Sequence, residues 1–227
     1  MLVVANVAAD FFNRGGVIMW PLLICLVMSF VVIVERALWW ATISRYEKSP
    51  LITRVFEAVC AGDFDEAEKL TSNPRNPFLR TLHKGLTQAH LSFLGSMQLE
   101  ASGEVEKADR RLWILATLIT LSPLLGLLGT VTGIMESFHA IGGEELAIVK
   151  VKGGIAEALI ATASGLAIAI LCLLPYNYFN RRLAHYRASL ERAINHVEFI
   201  VESARYHGHD LELFARQRAL ANPVPKA

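Results

Sequence analysis

Apolar residues along the chain are gathered into three long runs that contain no charged side chain. The runs are Val17–Val34 with 18 residues, Leu112–Met135 with 24 residues and Ala158–Asn180 with 23 residues. An α-helix needs about 20 mostly apolar residues to cross the hydrocarbon core of a bilayer. The first run is short, but residues 37–40 (Ala-Leu-Trp-Trp) extend it with aromatic residues that are typical of the membrane interface. The pattern therefore predicts an all-α integral membrane protein with three transmembrane helices.

The polar segment between the first two runs has the caps and breaks of short helices. Ser49 precedes a proline and Asp63 follows a glycine, and both residue types are typical of helix N-termini. A further helix is predicted from Phe78 to about Ser92. From Met97 the apolar pattern continues into the second run, and the first proline is Pro123. We therefore expect one helix of roughly 40 residues, which extends the second transmembrane helix into the cytoplasm.

The third run also continues as a helix, because residues 181–206 contain neither glycine nor proline and their apolar residues recur on one face. The chain thus divides into seven predicted segments. They are an external N-terminal segment (1–16), the first transmembrane helix (17–40), a cytoplasmic helical domain (41–111), the second transmembrane helix (112–138), an external hairpin (139–153), the third transmembrane helix (154–180) and a cytoplasmic C-terminal helix with its tail (181–227).

Basic residues near the ends of the runs predict the orientation. Eleven lie on one side and three on the other. Because Lys and Arg favour the cytoplasmic side, we expect the N-terminus outside and the C-terminus in the cytoplasm. Residues 1–13 contain neither Lys nor Arg, so we expect no cleaved signal peptide. The eleven are Arg36, Arg45, Lys48, Arg54, Lys107, Arg110, Arg111, Arg181, Arg182, Arg187 and Arg192, and the three are Arg14, Lys150 and Lys152.

Composition excludes several classes of protein. Of the 227 residues, 53% are hydrophobic and 19% are charged, with a net charge of +1. No basic surface for nucleic acid stands out. The three cysteines are widely spaced and give neither a disulfide framework nor a zinc pattern, so we expect no metal and no cofactor. Residues 162–165 (Thr-Ala-Ser-Gly) resemble an intramembrane protease motif, but no histidine lies within a run to act as a base, and we expect no enzyme.

Small and polar residues share one face of the second transmembrane helix. They recur at spacings of 3, 4, 3 and 4, which is the periodicity of one helix face. One interpretation is close helix packing, since small residues let backbones approach. The other is the wall of a hydrated pore. The residues are Pro123, Gly126, Thr130, Gly133 and Ser137.

The third transmembrane helix has two neighbouring stripes, about 100° apart at the helical pitch. One stripe is small and suits tight packing, and it consists of Ala158, Thr162, Gly165, Ala169 and Cys172. The other carries Glu157 and Ser164, which are seven residues apart. A charged residue in a transmembrane helix costs roughly 2.5–3.5 kcal/mol on insertion scales. Apolar neighbours favour Glu157 as a buried group that accepts a proton, and the alternative is a partner for the helix dipole near the outer interface.

Two longer motifs lie in the second and third runs. Residues 124–135 read LLGLLGTVTGIM, and residues 154–166 read GIAEALIATASGL. Together with the first run they resemble the ExbB/TolQ/MotA proton-channel family over most of residues 17–182. The second motif is similar to ExbB and TolQ rather than to MotA.

The resemblance implies a multi-pass protein of the bacterial inner membrane that forms a homopentamer. Its second and third transmembrane helices would line a central pore, occupied by two single-span helices of the ExbD or TolR type that supply an ionisable aspartate. Proton flow would be coupled to motion of this partner. Through a TonB-like or TolA-like protein, that motion would energise transport at the outer membrane or its integrity.

The resemblance also implies roles for individual residues. Thr130 and Thr162 correspond to the family's pore threonines, and Glu157 corresponds to its glutamate. Many relatives have tryptophan at the position of Thr132 and an apolar residue at that of Ser164. Both differences add hydroxyl groups near the ion pathway and would suit Na⁺, which is a hard cation. We expect H⁺ as the transported ion, with Na⁺ as the alternative.

The residues alone agree with this interpretation. No aspartate lies in the three predicted transmembrane helices, so a complete proton relay would need a group from another chain. Long cytoplasmic helices would give a ring a basal cup, with Arg181 and Arg182 near its mouth. The alternative is a structural scaffold in the membrane lipid, in which Glu157 and the threonines only hold helices together and no ion flows.

Overall fold

The computed structural model describes Phe12 and residues 15–47, 49–72, 75–139 and 147–221, and α-helices are the regular elements of these residues. Within them no β-strand occurs. The helices in chain order are α1 (Met19–Glu47), α2 (Pro50–Cys60), α3 (Phe64–Thr71), α4 (Pro77–Thr87), α5 (Ala89–Asp109), α6 (Leu112–His139), α7 (Ala147–Tyr206) and α8 (Leu211–Ala221).

Three helical stretches are long and apolar enough to cross a membrane. They are Met19–Cys60, Ala89–Phe138 and Val151–Tyr206, whose most apolar windows have mean hydropathies of 2.2, 2.0 and 2.2. Only 28%, 28% and 33% of these windows is buried inside the chain. Apolar surface of this extent must face lipid or other helices. The chain is therefore a membrane protein with three candidate spans, as the apolar pattern predicts, and its orientation stays a prediction.

The described residues form two compact units, and the first comprises residues 1–36 and 111–180. Its core joins the start of α1 to α6 and α7 through a cluster of buried side chains. The cluster consists of Met19, Leu22, Cys25, Leu118, Ile168 and Cys172. Large apolar side chains on the other faces of the same helices are exposed, among them Trp20, Phe30, Leu124, Leu159 and Ile170.

The helix is interrupted at Arg110 and Arg111, which lie between α5 and α6. Arg111 has a φ of 90°, a left-handed conformation that costs roughly 1–2 kcal/mol for a residue with a side chain. Its guanidinium group pairs with Glu35 of α1, and this contact offsets part of that cost. The prediction of one unbroken helix leading into the second run is therefore wrong at these two residues. Neither of them is a glycine or proline, so the local sequence carried no signal of the break.

The caps predicted for the polar segment are confirmed. Leu51 donates its backbone N–H to the Ser49 hydroxyl at 3.4 Å, and Glu66 donates to Asp63 at 3.0 Å. The helix predicted from Phe78 is shorter than expected, because α4 ends at Thr87. Helix α5 begins two residues later and is itself bent at Ser92, whose φ of −168° and ψ of 108° are extended.

The second unit comprises residues 37–110 and 181–227, and it contains an aromatic cluster around Tyr186. Tyr186 is only 2% exposed and makes edge contacts with Trp39, Trp40 and Phe78 at ring-centroid distances of 6.4, 5.9 and 5.7 Å. Burial raises the pKa of the Tyr186 phenol above its ordinary value, so the phenol stays neutral. The cluster packs the end of α1 and the start of α4 against α7, which runs unbroken to Tyr206 as the sequence predicts.

Parts of four predicted segments lie outside the described residues. They are most of the external N-terminal segment (residues 1–11, 13 and 14), residues 48, 73 and 74 of the cytoplasmic helical domain, the middle of the external hairpin (residues 140–146) and the end of the tail (residues 222–227). The boundaries of all seven segments, and the sides of the membrane assigned to them, stay predictions.

Candidate functional site

Glycines allow the backbones of α6 and α7 to touch. A Cβ atom on Gly126 would lie 2.9 Å from the Cα of Thr162, and one on Gly165 would lie 3.2 Å from the Cα of Gly126 and overlap the Ser122 carbonyl. A Cβ atom on Gly133 would lie 3.1 Å from the Cβ of Ala158. The small-residue stripe of α7 therefore faces the small-residue stripe of α6. We call this contact, at Gly126, Gly133 and Gly165, the α6–α7 seam.

A hydrogen bond crosses the α6–α7 seam. The Thr162 hydroxyl donates to the backbone carbonyl of Gly126 at 2.8 Å. The absence of a side chain at Gly126 is what lets the hydroxyl reach this carbonyl. Thr162 is half-buried. Within one chain, its hydroxyl group therefore stabilises the packing of α7 against α6 through this hydrogen bond.

We expect Thr162→Val to weaken the α6–α7 seam while preserving its shape. The lost hydrogen bond should cost about 0.6 kcal/mol, the average for such bonds between membrane helices. Thr132→Val is the matched control, because the Thr132 hydroxyl donates only to its own helix, at 3.0 Å to the Leu128 carbonyl and 3.2 Å to that of Gly129. Thermal unfolding of both variants in mild detergent measures the difference. Equal loss of stability in the two variants would contradict a role for Thr162 in the seam.

Two further glycines of this contact were not predicted from the sequence. A Cβ atom on Gly129 would lie 2.7 Å from the Cβ of Ala161. One on Gly154 would overlap the Ser137 hydroxyl and lie 3.3 Å from the Gly133 carbonyl oxygen. The spacing held a signal for Gly129, which follows Gly126 by three residues and precedes Gly133 by four, and so shares their side of the helix.

Two of the other hydroxyl groups proposed for the ion pathway are held by their own helix. Thr130 donates to the Leu127 carbonyl at 2.6 Å, as Thr132 donates to carbonyls one turn earlier. Such a hydroxyl keeps lone pairs that can accept from water or bind a cation. Ser164 on α7 is half-buried. Pro123, which was predicted to pack against other helices, is also half-buried and lies away from both ends of α6.

The carboxyl group of Glu157 points to a different neighbour. Glu157 is half-buried, and a Cβ atom on Gly16 would lie 2.9 Å from its carboxyl carbon. The contact brings the side chain against the turn that precedes α1, whereas Thr162 on the same helix faces α6. Within one chain the structure therefore does not bring Glu157 and Thr162 to a common surface.

Arg181 and Arg182, proposed for the cytoplasmic pore mouth, differ in their surroundings. Arg181 is exposed, while the guanidinium carbon of Arg182 lies 5.8 Å from the ring centroid of Trp40. That distance is within the range of a cation–π contact. Among the described residues, no three His, Cys, Asp or Glu side chains come together as a metal ion would require.

Comparison with known proteins identifies relatives of this chain, and the matching family profile includes the segments of α6 and α7 described above. Residues 72–192 match the profile of the MotA/TolQ/ExbB proton channel family. The chain is 30% identical to the biopolymer transport protein ExbB-like 3 of Synechocystis sp., over 85% of this chain and 93% of that protein. It is 48% identical to ExbB of Salmonella typhimurium over 50% of this chain and 43% of that protein. It is 40% identical to TolQ of Haemophilus influenzae over 55% of this chain and 51% of that protein.

Proposed function

Because the chain belongs to the MotA/TolQ/ExbB proton channel family and is of the ExbB/TolQ type, we propose that it is a pore-ring subunit of an ion-driven motor in the bacterial inner membrane. The observation that carries the proposal is Glu157, the one charged residue between positions 154 and 180. A carboxyl group in a transmembrane helix is costly and usually serves an ion pathway. The motor would energise transport at the outer membrane or its integrity.

The proposed motor needs a second protein. The three predicted transmembrane helices contain Glu35, Glu136 and Glu157 but no aspartate. Of these three glutamates, Glu157 is the one in α7. A proton relay through the apolar middle of the membrane requires a titratable group there. We propose that a single-span protein of the ExbD or TolR type supplies it from inside the ring. A TonB-like or TolA-like protein would carry the motion onward.

We expect the purified chain to form a closed ring of five copies. The exposed apolar faces of α1, α6 and α7 exceed what a soluble monomer tolerates, and they offer surfaces for neighbouring chains as well as for lipid. Native mass spectrometry in mild detergent measures the stoichiometry. A pentamer mass is the expected result, and a monomer at every protein concentration would contradict the ring.

We expect H⁺ rather than Na⁺ to drive the motor. Thr130, Thr132, Thr162 and Ser164 add hydroxyl oxygens without a fixed charge, and these oxygens can order water for a proton or partly replace the hydration shell of Na⁺. Partner-dependent activity should follow the pH gradient and persist in nominally sodium-free buffer. Activity that disappears without Na⁺ would reverse this order and direct attention to Thr132 and Ser164.

A structural scaffold is the second candidate function, and one contact favours it. The Thr162 hydroxyl, proposed for the ion pathway, donates to the Gly126 carbonyl at 2.8 Å and so already has a role in packing. A scaffold would assemble with the same α6–α7 seam but carry no ions. Proton flux across liposomes separates the two functions.

A further inference from the structure

The turn that precedes α1 lies directly on α7. A Cβ atom on Gly15 would lie 3.2 Å from the Cγ2 of Ile160. A Cβ atom on Gly16 would overlap a carboxylate oxygen of Glu157 and lie 2.9 Å from its Cδ and 3.3 Å from its Cγ. The Met19 N–H donates to the Gly16 carbonyl at 3.1 Å, which closes the turn and begins the helix.

Two properties of Gly16 make this contact possible. Its φ of +70° is in the left-handed region, which glycine adopts without steric cost. It also has no Cβ, so its backbone occupies the space next to the Glu157 carboxyl group. The N-terminal turn of a helix carries a partial positive charge and favours a nearby carboxylate.

We propose that Gly16 is a positioning residue for Glu157. The turn at Gly16 holds the carboxyl group in one place on α7, and any side chain at position 16 displaces it. The consequence for ion flow rests on the proposed function, whereas the contact between Gly16 and Glu157 can be tested in the ring alone.

The first test is chemical labelling of Glu157 in the purified protein without a partner. Dicyclohexylcarbodiimide reacts with carboxyl groups in apolar surroundings, and mass spectrometry of the labelled peptide gives the rate. Glu157 of the Gly16→Ala variant should be labelled about threefold faster, because the added side chain separates the carboxyl group from the N-terminus of α1. The size of the change is that expected for the loss of a contact with a helix N-terminus. Gly16→Asn should behave alike, and it protects the test against misfolding because asparagine tolerates the left-handed conformation.

Two variants control for the side effects of the substitution. Gly208→Ala has the same backbone strain, with a φ of +93°, but its added Cβ would meet nothing within 4 Å. Gly153→Ala adds a methyl group to α7 itself, also in open space. Both should label Glu157 at the rate of the unaltered chain. Unchanged labelling in Gly16→Ala and Gly16→Asn, or equal acceleration in the controls, would overturn the proposal.

The second test is rescue by a shorter acid. In liposomes with the partner, Gly16→Ala should lower proton flux about tenfold in the Glu157 background, because the carboxyl group is displaced. When Gly16→Ala is combined with Glu157→Asp, the flux should be less than about twofold below that of Glu157→Asp alone. The shorter aspartate side chain leaves room for the added methyl group. The same loss in both backgrounds would contradict positioning. If the labelling rates are as expected but the unaltered chain with its partner conducts no protons, the proposed function is wrong. The role of Gly16 in positioning Glu157 would still be supported.

Discussion

Glu157→Gln is expected to lower partner-dependent proton flux at least about tenfold while the ring still assembles, because the relay loses its titratable group in α7. Glutamine keeps the size and the hydrogen-bonding oxygen of the side chain, but it cannot take up or release a proton. Glu157→Asp should retain part of the flux, since aspartate still titrates. A pH-sensitive dye inside liposomes measures the rate, and native mass spectrometry of the same preparations measures assembly.

Glu136→Gln is the matched control for this substitution. Glu136 is exposed near the end of α6. It lies next to the predicted external hairpin, so we expect it to reach water. Its replacement should leave the flux within about twofold of the unaltered chain, since a charge in contact with water is not part of a buried relay. Full flux in Glu157→Gln would show that the carboxyl group is structural.

Gly165→Leu is expected to prevent closed rings from forming, because the α6–α7 seam has no space for a side chain there. A Cβ atom alone would overlap the Ser122 carbonyl and lie 3.2 Å from the Cα of Gly126. Close packing of backbones is one source of affinity between membrane helices, and forcing the helices apart removes it. Gly126→Leu should fail in the same way, with its Cβ 2.9 Å from the Cα of Thr162. Size-exclusion chromatography and native mass spectrometry measure the loss of the ring.

Gly153→Leu tests whether the position matters rather than the residue type. It places the same side chain on the same helix, where a Cβ atom meets nothing within 4 Å. Rings should form normally in this variant. Intact rings from both Gly165→Leu and Gly126→Leu would show that the α6–α7 seam does not support assembly.

Helices and their caps were predictable because their signals are local. The Ser49 and Asp63 caps are encoded within three or four residues of each helix start, and both are present in the structure. The break at Arg111 was not predictable in this way. Arg111 pairs there with Glu35, which lies far away in the chain and carries no signal near residue 111.

The same distinction applies to the candidate site. Helical periodicity places Gly126, Gly133 and Gly165 on small-residue stripes, and the structure shows these stripes in contact. Periodicity cannot say which helix a stripe will face. The contact of Glu157 with Gly16 therefore had no signal in the sequence, because it joins the turn before α1 to a helix more than a hundred residues later.

Proton flux into liposomes tests the central claim most directly. The chain is reconstituted with its single-span partner, and a pH gradient is applied in sodium-free buffer. If the chain is the pore-ring subunit of a proton-driven motor, flux appears only when both proteins are present and exceeds that of liposomes with either protein alone. Liposomes that contain assembled complexes of both proteins and are no more permeable to protons than empty ones would contradict the claim and favour a scaffold.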